Sequence, residues 1–295
     1  MPLPLQSPVQ SPLVSVLMPV RNGQATLDLA LRSIRGQTYA NWELLLIDDG
    51  SSDRSVAIAR ALGDARIRVF EDGQWLGLAP RLNEGIDAAQ GRYIARLDAD
   101  DVAYPERLAA QVDFLEKHPS VDLLGSSAVV FDDAGRALGR FPAPITHSEI
   151  CRRPWSGFHL PHPTWMGRTQ WFRRHRYRSE MNRGAEDQDL LLRSHRTSGF
   201  ANLPDPLIGY RQDQLSWRKF ASGRFQWARA ALHEARLRRA YGAIASVISM
   251  QTAKGLYETA AITSGLGRRL LRHRAGPISA ADVHRWNSVW RALHS

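Results

Sequence analysis

Cysteine occurs once, as Cys151, so no internal disulfide can close and no cysteine cluster can hold a metal. A reducing, intracellular setting is the simpler expectation. Lysine is nearly missing as well: Lys117, Lys219 and Lys254 are the three, and none stands on an obvious strand-end loop. Long apolar runs are also absent. The nearest candidate, YGAIASVISM, is shorter than the roughly 18 residues of a membrane span and contains Gly and Ser, so the chain is expected not to cross a membrane. The first stretch, MPLPLQSPVQSPL, has neither the basic region nor the long apolar core of an export signal, and residues 1–12 read as a disordered leader.

What is present is length and uneven charge. The 295 residues suffice for a proper core without covalent staples. The formal net charge is +10, yet residues 1–214 hold 25 Lys and Arg against 26 Asp and Glu, while 215–295 hold 14 against 3. A near-neutral body with a basic C-terminal segment facing an anionic partner follows.

The first hundred residues alternate between short apolar runs and helix-like segments. VSVLMPV (14–20), WELLLIDDG (42–50), IRVFED (67–72) and YIARLDADD (93–101) have the character of buried parallel strands. Segments 24–36, 53–62 and 77–90 read as helices, the last closed by Gly91 as a C′ glycine. This order predicts an α/β doubly wound sheet. Further on, a helix is expected from Pro105 to Lys117, a strand from Val121, and a hairpin turning at DDAG. Residues 215–295 read as largely helical, broken at Gly255, Gly265, Gly267 and AGP.

Ligands of such sheets collect at the carboxyl ends of the strands. Here those ends carry PVRNG, DDGSSD and DADD. Three carboxylates in four positions repel one another unless a cation offsets them. Hard oxygen donors without a Cys/His cluster favour Mg²⁺ or Mn²⁺, which could in turn hold phosphates. Read singly, DADD could be a solvated loop, and DDGSSD a tight turn with Asp53 capping the next helix.

Taken together and in order, VSVLMPVRN, LLLIDDGSSD and LNEGIDAAQGRYIARLDADD resemble the family 2 inverting nucleotide-sugar glycosyltransferases of the GT-A fold, over about residues 13–215. The resemblance implies a Rossmann-like, mostly parallel sheet flanked by helices, with a nucleotide-sugar-binding half at 13–104, an acceptor-binding half at 105–214 and a basic helical extension at 215–295. It implies that Asp100 ligates the metal, that Asp98 contacts ribose or the metal's water shell, and that Asp101 supports them. Pro19, Arg21, Asp49 and Asn83 fall to the nucleotide-sugar site, with Asp49 reading the base. Arg21 stands where the family often has an aromatic, and a guanidinium plane can stack in its place. Arg96 either pairs with a neighbouring acid or helps neutralise the diphosphate.

By the same resemblance the Asp/Glu pair of GAEDQDLLLR supplies the base: Asp187 takes the acceptor proton, and Glu186 positions it or touches the acceptor. Without the resemblance the segment reads as a helix start, since acids favour the first turn. His162 of HLPHPTWMGR is a candidate near acceptor and metal, though a His before Pro is commonly structural; the same segment carries His159. Trp155 and Trp165 suit either sugar stacking or burial. Arg173, Arg174, Arg176, Arg178 and Arg183 occupy a segment where the family often shows a Gly-Gly-Tyr turn, which hints at an anionic acceptor.

The expected activity is transfer from a nucleoside-diphosphate-sugar, UDP-sugar by default, to a hydroxyl of a glycan or lipid-linked acceptor in surface polysaccharide or glycolipid synthesis. The basic tail, with Trp217, Phe220, Phe225, Trp227, Tyr241, Trp286 and Trp290 among its arginines, suits peripheral contact with an anionic membrane, or packing on the body. The expected location is cytoplasmic, at the inner-membrane face. No nucleic-acid motif is present. Two other classes compete. A phosphohydrolase would use DDGSSD but needs a lysine near the phosphate; a non-catalytic subunit would not need Asp98, Asp100 and Asp187.

Overall fold

The computed structural model describes residues 11–181, 184–212, 217–263 and 275–294, and residues 1–10 of the leader, Arg183, Gly265 and Gly267 lie outside them, as do the side chains of Trp217 and Phe220. Strand β1 (Val14–Val20) is flanked by β2 (Trp42–Asp48) and β4 (Tyr93–Arg96), and β3 (Ile67–Phe70) extends the far side, all pairings being parallel. These runs are apolar at successive positions because both faces of the sheet are covered. Val14, Val16, Met18, Leu44 and Leu46 face one cluster, shared with Leu27, Leu31 and Ile34 of α1 (Leu27–Arg35). Leu17, Leu45 and Ile47 face the other, with Leu82 and Ile86 of α3 (Leu78–Ala88). The short α2 (Ser55–Ala61) lies between β2 and β3.

Beyond β4 the parallel pattern ends. The order β3-β2-β1-β4-β8-β6-β9-β5 places β8 (Met166–Arg168) antiparallel between β4 and β6 (Leu123–Phe131), with β7 (Ala137–Arg140) attached to β6. The sheet is therefore mixed: the first half is wholly parallel, and the second combines parallel and antiparallel pairs. Strand β9 (Phe200–Arg211) runs parallel to β6 and antiparallel to the two-residue β5 (Val102–Ala103). Pro204 and Pro206 conceal β9 in the sequence; the β6–β9 register shifts between Ser126 and Ala128, where Pro206 is accommodated. Helix α4 (Arg107–Lys117) packs Leu108, Val112 and Leu115 into the cluster of Val14, Val16 and Met18, and the DDAG turn joins β6 to β7 as expected. The shorter helices α5 (His147–Ile150) and α6 (Thr169–Arg174) precede α7 (Glu186–Ser194).

Gly91 does not close α3 as a left-handed cap. The helix ends at Ala88 with an extended Ala89, and a Cβ on Gly91 would lie 2.6 Å from the Leu13 carbonyl oxygen. Close approach to β1 is the reason for glycine: its N–H donates to Ser15 Oγ at 2.8 Å, and Ser15 Oγ donates to Glu43 Oε1 at 2.6 Å.

The basic segment divides in two. Helices α8 (Trp217–Leu237) and α9 (Tyr241–Thr263) form a hairpin, with α8 against α7. The following helix, α10 (Ala280–His294), is part of the body: Trp286 is fully buried with Val102, Tyr104, Val129 and Phe131, and its Nε1 donates to the Gly135 carbonyl. A buried side chain of that size contributes about 1.5–3 kcal/mol or more.

Candidate active site

The loops after β1 and β2 interlock. Asn22 N–H donates to Ser51 Oγ, Gly23 N–H to Ser55 Oγ and Gln24 N–H to Asp53 Oδ2, so the serines and Asp53 are used as turn residues that also tie RNG in place. Asp53 Oδ1 accepts from Ser55 N–H, although the residue preceding α2 is Arg54.

The two acids ending β2 differ in their partners. Asp49, expected to read the base, is spent on the chain itself: Leu76 and Gly77 N–H donate to Oδ1 at 2.8 and 2.9 Å, Arg81 Nε to the same atom at 3.2 Å, and Gly77 N–H to Oδ2 at 3.1 Å. Asp48 accepts at Oδ2 from Ser51 N–H, while its Oδ1 is buried with no hydrogen-bond partner. The loop that Asp49 holds lies against Gly50, whose φ of 69° and 3.0 Å approach to Gln74 require glycine. That loop carries Trp75, 68% exposed, and the Arg21 guanidinium stands 4.3 Å from its ring centroid. Trp75 is absent from the sequence-based assignment; an aromatic just ahead of Gly77 was its visible signal. Pro19 is buried within β1. Asn83 is likewise occupied: Nδ2 donates to the Tyr177 carbonyl, and Oδ1 accepts from Tyr177 N–H and Arg176 Nε.

At the end of β4, carboxylate oxygens of Asp98, Asp100 and Asp101 lie within 4.8 Å of one another. Asp100 is exposed and Asp98 half-buried, whereas Asp101 is 1% exposed. Arg211 N–H donates to Asp101 Oδ1 at 2.8 Å, Arg211 Nε donates to the Asp100 carbonyl at 2.9 Å, and Asp101 Oδ2 is buried without a partner. Burial, then the charges of Asp100 and Asp98, push the Asp101 carboxyl well above its ordinary range. A divalent cation would relieve this, and the donor set of hard oxygens with one orphaned buried oxygen fits Mg²⁺ or Mn²⁺. Thr26 Oγ1 donates to the Ala99 carbonyl at 3.0 Å and steadies the loop.

Arg96 is buried and meets Asp98 Oδ1 at 2.5 Å, a contact outside aligned hydrogen-bond geometry, since Nη1 and Nε both lack such a partner. Burial opposes its charge, but Asp98 outweighs that and holds the guanidinium above its usual value. Of the alternatives for Arg96, pairing with an acid is the one seen.

His162 stands apart from the carboxylate cluster: its Nε2 meets Tyr177 Oη at 2.8 Å and its ring meets Trp165 edge-on. Burial, reinforced by Arg96, depresses the imidazole well below its ordinary value, so it is neutral. Trp165 is fully buried and donates to the Leu160 carbonyl, Trp155 packs on the core, and His159 is exposed. Tyr177, also missed from sequence, is buried within the fields of Arg96, Asp187, Glu186 and Asp98, and desolvation pushes its phenol upward.

Glu186 and Asp187 open α7 after Ala185, which takes φ of 70° without being glycine. Glu186 is buried with Oε2 unpartnered; Asp187 is half-buried and accepts from Gln188 Nε2 at 3.2 Å. Burial and then the Asp187 charge raise Glu186 to about 7, and Asp98 adds to the rise. Burial also raises Asp187. Burial thus favours the neutral form of each acid, and a carboxyl raised in this way is suited to accept and return a proton.

Residues 15–176 match Glycosyl transferase family 2. The protein named as glycosyltransferase EpsE of Bacillus subtilis (strain 168) is 36% identical over 215 residues, which are 70% of this chain and 76% of EpsE. WfgD of Escherichia coli, a UDP-Glc:alpha-D-GlcNAc-diphosphoundecaprenol beta-1,3-glucosyltransferase, is 33% identical over 142 residues, 48% of this chain and 55% of that protein. In fold, residues 1–349 of S. aureus TarS in complex with UDP-GlcNAc superpose with a TM-score of 0.62 at 16% identity, covering 95% of this chain and 80% of that one.

Proposed function

The chain belongs to Glycosyl transferase family 2, and we propose that it transfers a sugar from a nucleoside-diphosphate-sugar, by default a UDP-sugar, to a hydroxyl of a glycan or lipid-linked acceptor, with inversion. The observation that carries this reading is the meeting of two acidic groups at one end of the sheet: the Asp98, Asp100 and Asp101 oxygens, and the raised pair Glu186 and Asp187, with Glu186 in the field of Asp98. The donor class and lipid-linked acceptor are supported by the ligand of TarS and the named reaction of WfgD.

Asp187 removes the proton of the acceptor hydroxyl as that oxygen attacks the anomeric carbon, and the bond from that carbon to the diphosphate oxygen breaks on the opposite face. Glu186, buried beside it and itself raised to about 7, positions Asp187, whose basicity is raised by burial. Asp98, Asp100 and Asp101 would hold Mg²⁺ or Mn²⁺, which supplies charge stabilisation to the departing diphosphate. Arg21 and Trp75 sandwich or flank the base, Pro19 forms the pocket wall, and the free Oδ1 of Asp48 takes a base N–H, while Asp49 fixes the loop that carries Trp75 and Asn83 fixes Tyr177.

Among the described residues no helix is long and apolar enough to cross a membrane. Peripheral contact is supported by the exposed Phe225, Leu237, Tyr241, Ile248, Leu256 and Tyr257 on the α8–α9 hairpin, among arginines. This contact suits surface polysaccharide or glycolipid synthesis.

A thermal-shift screen of UDP-, GDP- and dTDP-sugars with Mn²⁺, Mg²⁺ or EDTA, followed by turnover with the responding donor, tests the reading. A metal-dependent rise in Tm with one nucleotide is expected. Folded protein that responds to none of the donors would instead favour the non-catalytic alternative.

A further inference from the structure

A cavity of about 510 Å³ lies between the 178–180 segment and the outer face of α8, away from the carboxylates of the proposed transfer site. Its walls include Arg178, Phe225, Arg229, Leu232, His233 and Arg236. The α8 contributors recur at helical spacing, which puts the cations and the apolar groups on one face.

The floor is fixed. Arg178 reaches Asp189 of α7 at 3.1 Å and Glu234 of α8 at 3.7 Å, and Arg238 reaches Glu234 at 2.7 Å and the Leu192 carbonyl at 2.9 Å. Arg178 is thereby already compensated, and Glu180 stands at the rim. The charge left over comes from Arg229 and Arg236, both exposed, for whose side chains no ion pair or hydrogen bond is present among the described residues. Guanidinium groups held on a rigid face suit phosphate oxygens, which they meet in bidentate fashion.

Two neighbours say what the phosphate is attached to. Leu237, 63% exposed, directly follows Arg236, and Tyr241, 74% exposed, opens α9 across the tip of the hairpin, so exposed apolar groups stand beyond the Arg236 end of the cavity wall. On the inner side, Tyr177 lies buried in the field of Glu186 and Asp187, next in sequence to Arg178. A molecule bridging these regions has a sugar at one end, a phosphate group in the middle and an alkyl chain at the other.

We propose that the cavity binds the diphosphate of a lipid-linked acceptor through Arg229 and Arg236, with Phe225, Leu237 and Tyr241 against the first part of the lipid. This rests on the transferase reading and adds the acceptor class and its anchoring residues.

The test uses the full chain in EDTA, titrated calorimetrically with farnesyl diphosphate, inorganic pyrophosphate and phosphatidylglycerol vesicles. The wild type is expected to bind farnesyl diphosphate more tightly than pyrophosphate, and the Arg229→Ala/Arg236→Ala double variant to bind it on the order of tenfold more weakly or worse. Both residues are exposed, and an unchanged Tm of the variant verifies its fold. The proposal is overturned by absence of farnesyl diphosphate binding in the wild type, by equal affinity in the variant, by pyrophosphate binding as tightly, or by a variant that loses vesicle binding alone. The response of Tm to UDP with Mn²⁺ is read separately on both proteins. Its absence in the wild type would count against the transferase reading, whereas its persistence beside failed lipid binding removes only this site.

Discussion

Arg81 Nε donates to Asp49 Oδ1 across 3.2 Å, and the same buried guanidinium reaches Asp72, Glu84 and the Gln74 carbonyl. The charges around it hold Arg81 above its usual value, with Asp72 the largest contributor. The pair therefore fastens the 72–77 loop to the end of β2, and with it the exposed ring of Trp75.

Removing the cation should be costly. Arg81→Met leaves Asp49 buried beside two backbone donors, and a loss of about 3 kcal/mol in urea denaturation is expected. A change below about 1 kcal/mol would mean that those N–H groups suffice.

Trp75→Ala should separate binding from folding. With the ring 68% exposed, Tm is expected to hold, while UDP affinity falls about tenfold if the base stacks there. Unaltered affinity would remove Trp75 from the base pocket.

The raised acid pair predicts a pH dependence. Burial raises Asp187, so the rate should fall as pH drops, over a limb lying above the ordinary carboxylate range, and Glu186→Gln, which removes the acid raised to about 7 beside it, should alter that limb. Asp187→Asn should lower kcat by roughly 100-fold or more with donor affinity kept. Stability should respond in the opposite direction: Glu186 is raised in the fold, so stability present below its unfolded value is lost as pH rises toward 7, and Glu186→Gln should flatten this slope. A pH–rate profile untouched by Glu186→Gln would detach that residue from the base.

The acidic cluster can be examined without turnover. Asp100→Asn should sharply reduce the extra Tm that Mn²⁺ adds in the presence of UDP, since a hard cation loses one of its anionic oxygen donors. Retention of the full shift would place the cation elsewhere.

The first half was legible because its strands are buried on both faces and therefore continuously apolar, and because DDGSSD and DADD fall where strands end. The second half hides more. Pro204 and Pro206 disguise β9, and β8 is only three residues long, too short for periodicity to register. At the site, acid types were visible but not their hydrogen bonds: nothing in "DD" tells that Asp49 faces inward to Gly77 while Asp48 keeps an oxygen free. Tyr177 and Trp75 stand alone in the sequence, and only tertiary packing brings one to His162 and the other to Arg21.

Trp286 supplies the apolar backing of Val102 and Tyr104, immediately beyond the acidic loop, and Arg285 pairs with Glu106 on the same side. During synthesis the acidic loop leaves the ribosome long before that backing does. The parallel strands can pair as they emerge, but β5 and Tyr104 must wait, uncovered, for a contact far along the chain, the kind of distant closure that slows folding. Maturation of the acidic end of the sheet is thus timed by the arrival of Trp286, which makes this helix a checkpoint between a nascent chain and a working one.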